Sequence, residues 1–178
     1  MTGNVEFKDF SIEVLAALNE ATIDGLYDVA NEIVSHAQRN TSTEGWTNAE
    51  RTTLRDNYKI NDDEIKDGVI YVGTALEQGF WEEFGTGEHA DTGKNGGRPG
   101  RPGWWVYVKG QESKGGGATY STREEAEEAA KFLRNVKGLD AYATNGRKPN
   151  YTLERAGEAN REFAKKRLGA KLKERLDE

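Results

Sequence analysis

The stretch YVGTALEQGFWEEFGTG, Tyr71 to Gly87, decides how the rest of the sequence is interpreted. It begins like a strand, continues through a short aromatic and acidic segment, and ends in the glycine turn Gly85-Thr86-Gly87. A glycine turn after a strand can be the phosphate-binding loop of an enzyme or a packed corner of a structural protein. The remainder of the sequence has to distinguish these two alternatives.

The glycine turn does not match the spacing of a nucleotide phosphate loop. That motif has four residues between its first glycine and a Gly-Lys pair, followed by Ser or Thr for magnesium. Here five residues separate Gly87 from Gly93-Lys94, and Asn95 stands where the hydroxyl is required. The sequence therefore disfavours a nucleotide site.

The composition indicates a polar chain with few residues available for an apolar core. Hydrophobic residues make up 35% of the 178 residues, the mean hydropathy is -0.87, and the net charge is -6. Apolar burial must outweigh an ordering entropy of roughly 1–2 kcal/mol per residue, so such a chain is partly flexible or completes its core against copies of itself. The absence of cysteine excludes disulfides and thiolate metal sites.

The start and the apolar runs of the chain predict a soluble protein made in a cytoplasm. The first ten residues, MTGNVEFKDF, lack the features of a signal or transit peptide. No apolar run approaches the ~20 residues that cross a bilayer, so no membrane partner is expected.

Charge is unevenly distributed along the chain. Residues 147–178 carry 10 Lys and Arg against 6 Asp and Glu, a net charge of +4, whereas residues 1–146 carry 15 against 25, or -10. A solvated basic helix explains the difference most simply. The alternative is a polar molecule that docks end to end with its neighbours.

Hydrophobic periodicity predicts an α+β fold with two long helices and a small antiparallel sheet. Apolar residues three to five positions apart predict a helix over 11–40, and a second stripe predicts a helix from about Leu153 to Leu176. Lys66-Asp67-Gly68 before the β-branched run Val69–Val72 predicts a hairpin turn. The segment 75–84 is expected to form one or two helical turns.

The middle of the chain predicts a flexible loop and a small β-α-β insertion. Residues 85–117 contain 11 of the 21 glycines and two of the three prolines. We expect a core domain of residues 1–86 and 147–178, a glycine-rich loop at 87–103, and an insertion at 104–146. Within the insertion, Trp104–Lys109 and Leu139–Ala143 predict paired strands around a helix that begins at Ser121 or Thr122 and ends at Gly138.

No set of side chains predicts catalysis. His89 with Glu88 and Asp91 offers three ligand types in a loop, but nothing fixes their geometry, and no known metal motif is present. The pair Glu82-Glu83 is interpreted as a source of solubility and helix N-terminal charge, because adjacent carboxylates on a helix point in different directions. No catalytic residue, cofactor or metal site is therefore expected.

A second cluster joins bases and aromatics. Arg98, Arg101, Trp104 and Trp105 can form a stacking platform for single-stranded nucleic acid, but arginine and tryptophan are also typical anchors of protein interfaces. The acidic body favours an interface, because phosphate binding needs a basic footprint.

The order of elements and three short motifs resemble the small head–tail joining family of long-tailed bacteriophages, whose members are called neck, tail-completion or tail-component proteins. Members show Leu-Arg before a strand, as at Leu54-Arg55, and a strand ending near Val-Gly, as at Val72-Gly73. The most specific motif is Glu83-Phe84-Gly85-Thr86, and the last helix opens with the matching set Pro149, Leu153 and Ala156. The similarity covers the chain outside the insertion, and the length of the loop 87–103 departs from the family pattern.

The resemblance implies a structural virion protein without catalysis. It implies a ring, commonly of six copies, between the portal-side connector or head-completion protein and the tail tube or terminator, assembled in a bacterial cytoplasm. Double-stranded DNA would pass through its channel without specific binding. The glycine turn is then a corner anchored by Phe80, Trp81 and Phe84, with Gly85 where a Cβ is excluded.

Three alternatives stay open at this point. One is a tail terminator that caps the tail tube, since related folds serve both roles. Another is a single-stranded nucleic-acid-binding module that uses residues 98–105. The third is a metal-dependent hydrolase around His89.

Overall fold

The computed structural model describes residues 11–44, 47–94, 100–109 and 117–177, with side chains from residue 16 onwards. The chain has an α+β fold that divides into two compact units. The first unit comprises residues 1–41, 52–75 and 152–178, and the second comprises residues 42–51 and 76–151. The helices are α1 Ser11–Asn40, α2 Asn48–Asp56, α3 Glu77–Phe84, α4 Arg123–Lys137, α5 Thr152–Ala159 and α6 Arg161–Leu176. The strands are β1 Lys59–Asn61, β2 Tyr71–Gly73, β3 Trp104–Val108, β4 Thr119–Tyr120 and β5 Ala141–Thr144.

The long helix α1 is the scaffold of the first unit, and its predicted range is confirmed. It packs against α5 and α6 and against the hairpin of β1 and β2. Gly25 lets α6 approach closely, because a Cβ at this position would lie 2.7 Å from Cδ2 of Leu168. Ion pairs join the two helices at their surface, from Arg167 to Asp28 at 2.7 Å and from Arg175 to Glu20.

The hairpin of the first unit is wider than the sequence predicts. Strands β1 and β2 pair antiparallel with Lys59 opposite Gly73, but a single 3-10 turn, Ile65–Asp67, stands between them. The predicted hairpin is confirmed, with Lys66, Asp67 and Gly68 in its connection, but its second strand is Tyr71–Gly73 instead of Val69–Val72. Gly68 ends the 3-10 turn in the left-handed conformation, at φ 77°, which glycine adopts without the steric penalty of a Cβ.

The predicted C-terminal helix is interrupted at Asn160, which separates α5 from α6. The Asn160 side chain is 7% exposed. Its amide donates to the Ala156 carbonyl at 2.9 Å and lies 3.0 Å from Nδ1 of His36 on α1. A side chain that bonds the carbonyl four residues earlier competes with the helix backbone, which explains the interruption.

The second unit is built around a three-stranded antiparallel sheet in the order β4-β3-β5. Trp105 of β3 lies opposite Thr144, and Val108 lies opposite Ala141. Helix α4 packs on this sheet through buried Ala126 and Ala130. The strand–helix–strand order predicted for 104–146 is confirmed, and β5 begins two residues later than predicted. The insertion itself stays a prediction, and the unit also takes in residues 76–103 and 147–151.

The start and the end of α4 follow the predicted signals. Thr122 accepts a hydrogen bond from the Glu125 N–H, and the Glu125 carboxylate accepts from the Thr122 N–H, which completes a capping box. Gly138 ends the helix at φ 63°. These two signals are local in sequence, so they specify the element without help from tertiary contacts.

The buried apolar side chains of the described residues are mostly small. Seven of the ten are alanine, and Leu54 is the largest apolar side chain that is fully buried; the other large side chains at this level of burial are Glu82 and Thr152. The seven alanines are Ala21, Ala30, Ala37, Ala126, Ala130, Ala141 and Ala156. No helix within the described ranges combines the length and apolarity that crossing a bilayer requires.

Candidate functional site: the glycine corner

The glycine corner consists of residues 80–91 and the antiparallel segment 145–151, all in the second unit. Backbone hydrogen bonds join the two segments: the Thr86 N–H donates to the Arg147 carbonyl at 2.8 Å, and the Glu88 N–H donates to the Asn145 carbonyl at 3.0 Å. The Asn150 N–H donates to the carbonyl of Glu82 at 2.8 Å. Segments about sixty residues apart in sequence therefore form one ladder outside the regular sheets.

Glycine is required where the two segments cross. Gly85, Gly87 and Gly146 have φ of 71°, 63° and 120°. A Cβ at Gly87 would lie 2.1 Å from the Asn145 carbonyl oxygen, and one at Gly85 would lie 2.6 Å from the Arg147 carbonyl oxygen. Both the left-handed backbone and the close approach exclude larger residues here.

Six of the seven backbone N–H groups from Gly85 to Asp91 are already used in hydrogen bonds to carbonyls. The N–H groups of Gly85, Thr86 and Glu88 donate to carbonyls at 2.8–3.0 Å, and those of His89, Ala90 and Asp91 donate to the carbonyls of Thr86, Gly87 and Phe84. A phosphate loop needs such N–H groups to point toward the anion. The geometry thus answers the question raised by the sequence in favour of a packed corner.

A buried carboxylate holds the corner together. The Glu82 side chain is fully buried and accepts hydrogen bonds from the Ser42 N–H at 2.7 Å, from Nδ2 of Asn150 at 2.8 Å and from the Arg147 guanidinium. The Arg147 side chain is 15% exposed, so the ion pair is largely removed from water. Breaking a buried pair by removing one partner is far more destabilising than breaking a surface pair.

The interpretation of Glu82-Glu83 as solvated charge is wrong. Glu82 is 0% exposed and Glu83 is 8% exposed. The predicted anchors Phe80, Trp81 and Phe84 are instead only half-buried, with the Phe80 and Phe84 rings 5.0 Å apart. Hydrophobic periodicity could not predict the burial of Glu82, because its partners Ser42, Arg147 and Asn150 are distant in sequence. The one local sign of these partners in the sequence is that Arg147 precedes Asn150 by three residues.

Tyr151 closes the corner in a strained backbone conformation. It is a non-glycine residue with φ of 50°. Its N–H donates to the Glu83 carbonyl, its hydroxyl donates to Oδ2 of Asp91 at 2.7 Å, and Nζ of Lys94 lies 4.8 Å from its ring centroid. The Tyr151 hydrogen bond, helped by the N–H groups of Gly93 and Lys94, lowers the pKa of Asp91. These contacts compensate for a backbone that costs about 1–3 kcal/mol.

Of the candidate ligands around His89, Glu88 and Asp91 are engaged in hydrogen bonds. The Glu88 carboxylate accepts from the Gly103 N–H and from Nδ2 of Asn145, each at 3.0 Å. Asp91 accepts from Tyr151, and His89 is half-buried. Within the described ranges, no group of three or more His, Cys, Asp or Glu side chains is arranged to hold a metal ion.

The predicted cluster of bases and aromatics is partly assembled. The Arg101 guanidinium carbon lies 4.9 Å from the Trp105 ring centroid, and the same side chain donates to the Ala118 carbonyl at 3.3 Å. Arg123 lies 5.8 Å from the ring centroid of Trp104. One face of each indole is therefore covered by an arginine of the chain. Arg98 lies outside the described residues.

Sequence reasoning missed the contact between α2 and the sheet. Thr47 and Glu50 form reciprocal hydrogen bonds at 2.9 and 3.1 Å at the start of α2, and the Tyr107 hydroxyl of β3 donates to Glu50 at 3.3 Å. Burial raises the pKa of Glu50, but the hydrogen bonds from Thr47 and Tyr107 lower it by more. The signal Thr-x-x-Glu is visible in the sequence as a capping box.

The residues matched to the start of the last helix lie on both sides of the boundary between the units. Pro149 is half-buried in the second unit. It leaves no room for a side chain at Gly85, because a Cβ there would lie 2.8 Å from the proline nitrogen. Leu153 is half-buried on α5, and Ala156 is fully buried there. α5 packs against α1.

A scan against protein-family models matches no family, and searches among curated proteins and solved structures find no similar protein.

Proposed function

We propose that the chain is a structural subunit of a tailed bacteriophage, forming a ring of six copies that joins the tail to the capsid connector. The motif Glu83-Phe84-Gly85-Thr86 supports this proposal through the resemblance, and it lies at the centre of the glycine corner. The proposed partners are other copies of the chain, the connector or head-completion protein, and the tail tube or terminator protein. The proposed location is the neck of the virion.

The single observation that carries the proposal is the small core. Among the described residues, seven of the ten buried apolar side chains are alanine, and apart from Val29, Leu54 and Tyr58 the larger apolar side chains are half-buried or exposed. Phe80, Trp81 and Phe84 are half-buried beside the glycine corner. Burying apolar surface contributes about 25 cal/mol per Å², so contacts with further copies would supply what the core lacks.

The chemistry of the corner favours a structural role. Its charged side chains hold backbone segments together: Glu82 joins Ser42, Arg147 and Asn150, and Glu88 joins Gly103 to Asn145. Such interactions preserve a shape rather than prepare a group for reaction. Stability of shape is what a joining ring requires.

The charge of the chain supports passage of DNA without specific binding. Residues 1–146 carry a net charge of -10, and an acidic channel wall repels phosphate. A channel lined by lysine and arginine in the assembled ring would contradict this part of the proposal.

The proposal is tested by electron microscopy of lysates from a phage that carries a stop codon in this gene. Filled heads beside loose tails of normal length are expected, with recovery of whole particles when the wild-type gene is supplied in trans. Tails of irregular length would make the chain a terminator instead. Intact infectious particles would contradict both roles.

A further inference from the structure

Charges on α4 divide into paired and unpaired sets. Glu127 forms an ion pair with Arg123 at 2.6 Å. Glu124 and Glu128 are exposed, and neither has a partner among the residues that the structure describes. They lie four residues apart, so they share one face of the helix.

Charges on α6 divide in the same way. Lys165 pairs with Glu162 at 2.8 Å, and Arg167 pairs with Asp28 of α1 at 2.7 Å. Lys166 and Lys173 are exposed and have no partner within the described ranges. Two acids on α4 and two bases on α6 therefore form no ion pair within the described ranges. The exposed Lys131 of α4 also forms none and lies three residues after Glu128.

Exposed apolar side chains lie on the same two faces. On α4, Phe132 and Val136 are 55% and 60% exposed and continue the four-residue spacing of Glu124 and Glu128. This face of α4, Glu124, Glu128, Phe132 and Val136, is called the acidic stripe.

On α6, Phe163 is 41% exposed, and Ala170 lies between Lys166 and Lys173 at three- to four-residue spacing. The face formed by Phe163, Lys166, Ala170 and Lys173 is called the basic stripe. Leu176, which is 59% exposed, follows it at the same spacing.

We propose that the acidic stripe of one copy docks on the basic stripe of a second copy. The two stripes combine apolar side chains with charges of opposite sign that form no ion pair within the described ranges, and both belong to the same chain, so a second copy is the partner that their charges fit. Because the two surfaces differ, the contact is head-to-tail, which is the type that closes rings. This inference rests on the proposed ring and names its subunit contact.

Charge exchange in the full-length chain tests the contact. One variant carries Glu124→Lys and Glu128→Lys, a second carries Lys166→Glu and Lys173→Glu, and a third carries all four changes. Sedimentation velocity from about 1 µM to about 1 mM covers the range of weak association. Each two-residue reversal is expected to weaken self-association at least about tenfold, and the four-residue variant to return within about threefold of wild type.

Matched controls separate the contact from general charge effects. Lys66→Glu and Asp67→Lys reverse exposed charges of the 3-10 turn, which belongs to neither stripe, and are expected to leave association unchanged. Phe132→Ser is expected to weaken association even at about 1 M salt, where a Debye length of ~3 Å removes the effect of the charge reversals. Circular dichroism of each variant checks that it is folded.

Two outcomes overturn the inference. A four-residue variant that associates no better than the two-residue variants contradicts the pairing of the stripes, and so does a wild-type chain that sediments as a monomer throughout the range. Neither outcome decides the proposed function, which is read from head and tail assembly in the phage.

Discussion

At Glu82, three segments of the second unit meet on one fully buried carboxylate. Replacing Glu82 by alanine leaves the largely buried Arg147 guanidinium without this carboxylate, so we expect a loss of about 3–5 kcal/mol in the free energy of unfolding. Urea unfolding followed by tryptophan fluorescence measures it, because Trp81, Trp104 and Trp105 belong to this unit.

The matched control is Glu77→Ala, which removes an exposed carboxylate from the first turn of the same helix. It is expected to change the free energy of unfolding by less than about 0.5 kcal/mol. Equal unfolding midpoints for the Glu77 and Glu82 variants would show that the buried carboxylate does not hold the corner.

Gly87 is the position where a side chain is least tolerated. Gly87→Ala places a Cβ 2.1 Å from the Asn145 carbonyl oxygen at a left-handed φ, so the two segments must separate. We expect a loss above about 3 kcal/mol. Gly138→Ala is the control, since φ is also 63° but nothing lies within 4 Å, and roughly 1–2 kcal/mol is expected there. Similar losses for both variants in urea unfolding would contradict the close approach.

At the scale of elements, the contact between α2 and β3 gives the second unit a pH dependence. The pKa of Glu50 is lowered from its ordinary value of 4.5, so its contribution to stability is present above that value and is lost as pH falls through the folded pKa. The pKa of Tyr107 is raised from 10.0 by burial and by Glu50, so its contribution is present below 10.0 and is lost as pH rises through the folded pKa.

Tyr107→Phe tests this contact, because it keeps the ring and removes the donor to Glu50. The pKa of Glu50 is expected to rise toward its ordinary value as a consequence. An NMR titration of the Glu50 carboxyl carbon in both proteins measures the change. An unchanged pKa would mean that the hydroxyl does not bond this carboxylate in solution.

The capping box of α4 provides a prediction for a single element. Thr122→Ala removes the acceptor of the Glu125 N–H and is expected to destabilise the second unit by about 1 kcal/mol, whereas Thr122→Asp keeps an acceptor and most of the stability. Ser121→Ala, one residue earlier, is the matched control with no expected change. Thermal unfolding by circular dichroism distinguishes them, and an equal melting temperature for Thr122→Ala and wild type would contradict the cap.

Elements with local signals were predictable, and those that depend on distant partners were not. The range of α1 follows from its apolar spacing, and the bounds of α4 follow from Thr122 and Gly138. At the interruption, the Asn160 side chain bonds the Ala156 carbonyl and also contacts His36, 124 residues away in sequence, which no local pattern reveals. The turn at Lys66-Asp67-Gly68 has a local signal and was predictable, although the strand after it begins at Tyr71 rather than Val69.

At the scale of the whole molecule, the sequence predicted a corner but not what holds it. The glycine turn and its proline partner were recognisable as a motif, whereas the pairing of Glu82 with Arg147 spans 65 residues and leaves no periodic trace. The lean composition is matched by a buried set dominated by alanine. The proposed assembly with further copies would account for both the glycine corner and the small apolar core.

Gold-labelled antibodies against the chain, applied to purified particles of the phage and viewed by electron microscopy, test the proposed location most directly. We expect label at the junction of head and tail, and none on the separate heads and tails from a matched phage that lacks the gene product. Label along the tail, or particles without label although the chain is abundant in the lysate, would contradict the central claim.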